Sequence, residues 1–580
     1  MRARRATAAG GAIALVVALS ACAENKGSGT DVDTDRVTTG VIAMDPKDSM
    51  GPAAAVPGAT KGGTFTIMRE TKISHMDPQR VYSFAGLMAA PLYARYLTSW
   101  KDDGKGNVVL VGDLAETPGK NVNNDCKVWE FKIKDGVKFE DGRPITSKEI
   151  AYGIARSFDP DLTGGPTYLQ EWLADSLQYD TVWDFKANRD SLPPGLSTPD
   201  AKTLRFEFKT PHCDLPFAVS LPSTAPLVPE KDTGVDLDNH PFSSGPYKIT
   251  KHTPGVEVVL ERNEHWDPKT DPIRHQYPDK FIWSFGADPT AQVNRVIADN
   301  GADASALAWN GVPAALVARV VNDASLKERS IISPTPTAYR LSINTQRVTD
   351  LSVRQALNYV IDREGLIKTI GGTTKAVPLT TLMPPSTLGF RGYDVYPAGP
   401  NGDIDKAKEL LAGKTPELVL AVPDGAEDQK VGTQLKNNLE KAGFKITLKI
   451  TPSDSFLDDK KKKDNPWDLY IDQWAADWPS GASILPPLFD GRHIKAAGNS
   501  NVSYLNDNAV NAEFDRILAM DPVDQAPEWA KLDERIMKDL APAVPLYTEV
   551  QYVVHGSKAG GVFIESIFGW PSFVRAFVKQ

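Results

Sequence analysis

Trp129-Glu130-Phe131-Lys132-Ile133-Lys134-Asp135-Gly136-Val137-Lys138-Phe139 opens with Trp129, Phe131 and Ile133 alternating with charged residues. That two-residue period is the signature of a half-buried strand. Leu204, Phe206 and Phe208 repeat it further along, with Cys126 just before the first run and Cys213 just after the second. Paired antiparallel, the two runs bring the start of the first near the end of the second. A Cys126–Cys213 disulfide is therefore expected, as a structural clip without a redox role. The alternative is a pair of buried free thiols.

Outward from this stretch the chain mixes helices and strands. Thr146-Ser147-Lys148-Glu149 has capping-box spacing, and Ile150, Ile154 and Phe158 follow at helical intervals. Val353, Ala356, Leu357, Val360 and Ile361 predict an amphipathic helix ending near Asp362. Leu418–Val422 reads as a short buried strand, Val431, Leu435 and Leu439 as a helix face, and Gly443 as its C-cap. Phe444, Ile446 and Leu448 alternate as the next strand. Trp467–Ile471 forms another, leading into Trp474-Ala475-Ala476-Asp477-Trp478. Lys460–Lys463, flanked by acids, reads as a solvated loop. No repeat of 20–50 residues is visible, which argues against a solenoid or propeller. The fold class is α/β, in several lobes.

The 580 residues amount to about three to four domains at roughly 150 residues each. A composition 41% hydrophobic and 24% charged, with 44 Gly and 44 Pro, excludes collagenous, coiled-coil and disordered classes. The formal charge of −9 becomes −12 without Arg2, Arg4 and Arg5. Phosphate contacts dominate nucleic-acid affinity, so no nucleic-acid partner is expected. Those arginines and the apolar run Gly11–Leu19 read as a secretory signal over residues 1–21. It is too short to span a bilayer comfortably. Leu19-Ser20-Ala21-Cys22 resembles the lipobox of bacterial lipoproteins, in which the cysteine is acylated and becomes the N-terminus. Cys22 is thus the expected membrane anchor, at the outer face of the cytoplasmic membrane. Residues 22–61 are polar and aperiodic and read as a flexible tether reaching about 35 Å. Export also favours disulfide formation.

Taken together, several segments resemble the bacterial extracellular solute-binding proteins of family 5, the peptide/nickel type that serve ABC importers. They are Gly62-Gly63-Thr64-Phe65 with Met76-Asp77-Pro78, then the opening stretch with Asp141-Gly142 and Pro144-Ile145-Thr146. Ser244-Gly245-Pro246-Tyr247, Leu260–Trp266, Ile343-Asn344-Thr345 with Val353–Leu357, and Pro545-Leu546-Tyr547 follow in order. The resemblance implies a two-lobed periplasmic-binding-protein-like fold with hinge and cleft, plus a domain inserted in the first lobe. Lobe I would comprise 62–86, 215–337 and 546–580, the inserted domain 87–214, and lobe II 338–545. It further implies a monomer without cofactor that captures oligopeptides or dipeptides for a membrane permease and a separate ATPase. The chain has no phosphate loop of its own, since Gly112–Lys120 has the wrong gap.

In peptide-binding members an aspartate of a Trp-x-x-Asp segment pairs with the ligand's α-ammonium group, and the matching position here is Asp477. A carboxylate in a water-poor cleft makes a charge-assisted hydrogen bond roughly twice as strong as a neutral one. Trp474 and Trp478 are candidate pocket walls. The segment before Asp77-Pro78 would place Lys72 and Ile73 along the ligand, and Tyr82, Tyr93 and Trp309 are further candidates. A base at Lys72 points away from ordinary oligopeptides and toward an anionic group. A non-peptide solute (metal chelate, haem, sugar) or a non-transport envelope lipoprotein are the alternatives. An exported hydrolase is disfavoured: there is no Gly-x-Ser-x-Gly or His-Glu-x-x-His, and the eight histidines stand singly. For the same reason no metal site is expected.

Overall fold

Both alternating runs are strands in the computed structural model, which describes residues 39–103 and 107–580. Val128–Lys132 pairs antiparallel with Thr203–Glu207, Trp129 opposite Phe206 and Phe131 opposite Leu204. Lys120–Asn121 and Leu196–Asp200 flank them in a four-stranded sheet. Period two puts Trp129, Phe131, Leu204 and Phe206 on one face, where they pack against Ile150 and Ile154 of the helix Ser147–Arg156. Thr146 and Glu149 close the capping box at that helix's start. Cys126 and Cys213 are bridged, with Cα atoms 4.8 Å apart.

A mixed sheet of eleven strands runs through the rest of the chain. Thr64–Arg69 lies parallel to Lys280–Phe285 at one end. Glu417–Pro423 and Lys445–Thr451 lie parallel at the other, joined by the helix Ala426–Lys441, whose Val431, Leu435 and Leu439 face the sheet. The expected helix at 353–361 is Leu351–Val360, and Asp362 caps the next helix, Arg363–Thr369.

Two long strands connect the ends. Ser330–Ile343 pairs with Ala543–His555, 330–334 against 550–554 and 338–342 against 543–548. The register breaks between Pro334 and Ala338. Pro334 and Pro336 have no N–H to give the ladder, so the break has a direct chemical cause. The Thr548 hydroxyl bridges the gap, at 2.8 Å from the Thr335 carbonyl and 3.0 Å from that of Thr337. Apolar clusters lie on either side of the break. One is built around Phe65, Trp283 and Trp309, the other around Leu357, Leu420 and Leu435.

Two expectations need correction. The stretch taken as tether is, from Thr39 on, laid against the body. Thr39–Ile42 pairs in parallel with Asn107–Leu110, the Ser49 hydroxyl accepts from the Gly112 N–H at 2.8 Å, and Lys134 donates to the carbonyls of Ser49 and Gly112. Backbone pairing and a few capping side chains hold it, so apolar periodicity carries no sign of it. Lys460 is not in a solvated loop: it is 5% exposed, with Nζ 2.7 Å from Asp472 Oδ1. Burial alone would raise the Asp472 carboxyl, but Lys460 and Arg340 pull it down to about 2. The leader and Cys22 lie outside the described residues. Among the described residues no helix is long and apolar enough to cross a membrane.

Candidate functional site

Asp77 starts the path to the site. Its carboxylate accepts from the Gln79 N–H and caps the turn Pro78–Arg80. Arg156 pairs with it at 2.8 Å, both side chains fully buried. Asp238 accepts from the N–H groups of Met76 and Asp77 and pairs with Arg80 at 2.6 Å. This clamp fixes residues 76–80, and Ser83 then caps the helix Phe84–Tyr93. Tyr82, held between clamp and cap, projects its hydroxyl to Asp477 Oδ1 at 2.7 Å.

Asp477 follows the strand Leu469–Ala475, at a turn fixed from behind. Ser480 caps the turn Gly481–Ser483, and the Ser483 hydroxyl donates to the Trp478 carbonyl at 2.8 Å. A Cβ on Gly481 would fall 2.4 Å from the Trp529 ring, so only glycine fits. The second carboxylate oxygen accepts from the hydroxyl of Tyr168, first residue of the helix Tyr168–Ala174. Two phenols from distant parts of the chain thus converge on one buried carboxylate. Among the described residues no cation pairs with it. Burial raises its carboxyl to about 6, against the pull of the two hydroxyls.

Trp478 is buried beside it. Its indole N–H donates to Asp214 Oδ2 at 2.9 Å, and its ring meets Tyr168 edge-on at 4.8 Å and Trp172 at 6.4 Å. His212 stacks on Trp172 at 4.4 Å, so this box adjoins the disulfide at Cys213. Burial lifts Asp214 to about 6 as well.

The structure therefore brings Asp477, Trp478 and Tyr82 together. Trp474 turns away: its indole N–H donates to the Ser483 carbonyl at 2.8 Å and its ring joins the core around Trp529. Tyr93 is fully buried and donates to the Met76 carbonyl at 2.6 Å. Trp309 stacks on Trp570 at 5.1 Å within the same core as Ile73. Lys72 is exposed and its carbonyl accepts from Arg69. Sequence reasoning missed Tyr168, Trp172 and Asp214, which reach the site only through the tertiary fold. The Tyr168–Trp172 spacing signals a helix face and nothing more. No group of three His, Cys, Asp or Glu among the described residues is arranged to hold a metal ion.

This chain belongs to the bacterial extracellular solute-binding proteins of family 5, whose model matches residues 109–496. The probable peptide ABC transporter periplasmic-binding protein y4tO of Sinorhizobium fredii (strain NBRC 101917 / NGR234) is 22% identical, over 86% of this chain and 92% of its own. The dipeptide-binding protein DppE of Bacillus subtilis (strain 168) is 21% identical, over 76% and 80%. Among solved structures, the clavulanic acid biosynthesis oligopeptide binding protein 2 is 26% identical with a TM-score of 0.83, over 96% of this chain and all of that one. The Escherichia coli murein tripeptide binding protein MppA, 19% identical with a TM-score of 0.67 over 90% and 99%, shares the fold. The fold is the two-lobed, mixed α/β architecture of these periplasmic binding proteins.

Proposed function

We propose that the protein is a lipid-anchored, extracytoplasmic receptor that captures oligopeptides or dipeptides and hands them to an ABC importer. It is monomeric and cofactor-free, and it does no chemistry on its ligand. One observation carries this reading: Asp477 is a buried carboxylate without a cationic partner among the described residues, held by Tyr82 and Tyr168 from two other segments. Such a group gains more from an ammonium ion than from any neutral donor. Lobe I (62–86, 215–337, 546–580) and lobe II (338–545) would move about the two long strands where their register breaks, with 87–214 as the inserted domain. A ligand that ties Asp477 to the opposite wall favours the closed form by its difference in affinity between the two forms. Relatives named for peptide and dipeptide binding support this ligand class. Cys22 is the proposed anchor, and a separate permease and ATPase the partners.

Native mass spectrometry of protein purified gently from its own host tests the reading. A ladder of short peptides released from the wild type and missing from Asp477→Ala is expected. A single non-peptide solute, retained in the variant, would contradict it. The affinity also depends on pH. Asp477 titrates near 6 when unliganded, and an ammonium partner lowers that value. Binding below pH 6 therefore releases a proton, and affinity falls about tenfold per unit as the pH drops. Calorimetric titration between pH 7.5 and 5 should show a plateau above about pH 6 and that decline below it; a flat profile contradicts it.

A further inference from the structure

A cavity of about 80 Å³ lies between the helix Phe84–Tyr93, the strand Thr98–Asp102 and the C-terminal segment 563–575. None of Tyr82, Tyr168, Asp477 and Trp478 lines it. Pockets for drug-sized ligands measure about 300–1,000 Å³. This one excludes a peptide and admits a few heavy atoms.

Its polar groups are unevenly used. Arg274, on one wall, is fully committed: Nε donates to the Pro91 carbonyl at 2.8 Å, and its terminal nitrogens serve Asp113 and Asp271. Arg575, on another, makes no side-chain hydrogen bond among the described residues, although the charges of Asp102 and Asp103 act on it. Its guanidinium lies over the Phe563 ring at 3.9 Å, and the buried Nε is without a partner. Tyr96 is 4% exposed, and its hydroxyl is likewise buried without a partner. Buried donors normally find acceptors, and the exceptions call for an explanation. Two acids also reach the cavity. Asp102 accepts from the Ser566 N–H at 2.6 Å, and Glu565 accepts from that of Phe568 at 2.8 Å. Burial first, and then the neighbouring Asp102, push the Glu565 carboxyl up. The remaining wall is mixed: Lys101, Ser99, Ser220 and Ser572 line it beside the apolar Leu87, Met88, Ile273 and Val574.

We propose that this cavity is a second ligand site, distinct from the one at Asp477, that takes a short aliphatic carboxylate. Arg575 and Tyr96 receive the anionic head, and Leu87, Met88 and Ile273 pack against the chain. Arg575 and Lys101 on the lining favour an anion over a cation. Arg575 can only donate, and it would repel an ammonium ion. The proposal stands whether or not the ligand at Asp477 is a peptide.

Ligand-observed saturation-transfer NMR on the full chain, disulfide intact, tests it with three probes sharing a four-carbon skeleton: butyrate, butyramide and n-butylammonium. Butyrate should bind, butyramide at least tenfold more weakly, and n-butylammonium not at all. Arg575→Gln should abolish butyrate binding and Tyr96→Phe, which removes only the hydroxyl, should weaken it about fivefold. Asp477→Asn should leave it unchanged. A single cooperative thermal transition in each variant establishes that it folds. Absence of butyrate binding to the wild type, equal binding of butyrate and n-butylammonium, or full retention in both cavity variants overturns the proposal.

Discussion

Asp477→Asn is expected to abolish peptide binding while making the unliganded protein more stable at neutral pH. The two effects share one cause. Removing one partner of a buried charge pair costs about 3–5 kcal/mol, which is roughly a hundredfold to several thousandfold in affinity. Without ligand the same carboxylate is a liability, since burial raises it from the ordinary 3.8 to about 6. The folded-state value lies above the unfolded one, so the penalty is absent below about pH 4, grows as the pH rises, and is complete above about pH 6. Two units correspond to about 3 kcal/mol. Asparagine keeps the shape and an acceptor for the tyrosine hydroxyls but carries no charge. Denaturant melts at pH 7 should show a gain of about 1–3 kcal/mol, and melts at pH 4 none. A loss of stability at both pH values would make Asp477 an ordinary structural residue.

The second large effect concerns the disulfide. Cys126 and Cys213 are 87 residues apart, and closing a loop of that length stabilises by about 4–5 kcal/mol in the chain-entropy model. The Cys126→Ser/Cys213→Ser double variant should lose about that much from the region the clip encloses. Amide exchange in the strands Val128–Lys132 and Thr203–Glu207 should accelerate by up to about 10³-fold, with Ala426–Lys441 unaffected. Because Asp214 follows Cys213 and receives the Trp478 indole, ligand affinity should fall as well. Unchanged exchange in the two strands would show that packing alone holds the sheet.

Local chemistry and long-range meeting explain what was readable in advance. The strands at 129 and 204, the capping box at Thr146 and the helix–strand passage from 418 to 448 rest on short-range rules, and the structure contains each. The disulfide followed because two local patterns fixed one pairing. Asp477 was legible only through resemblance; nothing in its neighbours tells a ligand carboxylate from a turn cap. Tyr168 and Asp214 were invisible, since their partners lie 309 and 264 residues away. Trp474 and Trp478 occupy one short segment, yet one faces the core around Trp529 and the other the box at Asp214. The strand ends at Ala475 between them, and the bend that follows sends them to different surroundings. Lys460 was misread for a related reason: a run of lysines looks solvated, and its partner Asp472 sits on a neighbouring strand.

The central claim is that Asp477 holds the ligand's α-ammonium group. Calorimetric titration at pH 7 with trialanine and with its N-acetylated form tests it most directly, because acetylation removes that charge and leaves the rest of the peptide intact. Binding of the free peptide with at least a hundredfold loss on acetylation is the predicted result. Equal affinity for the two forms would contradict it.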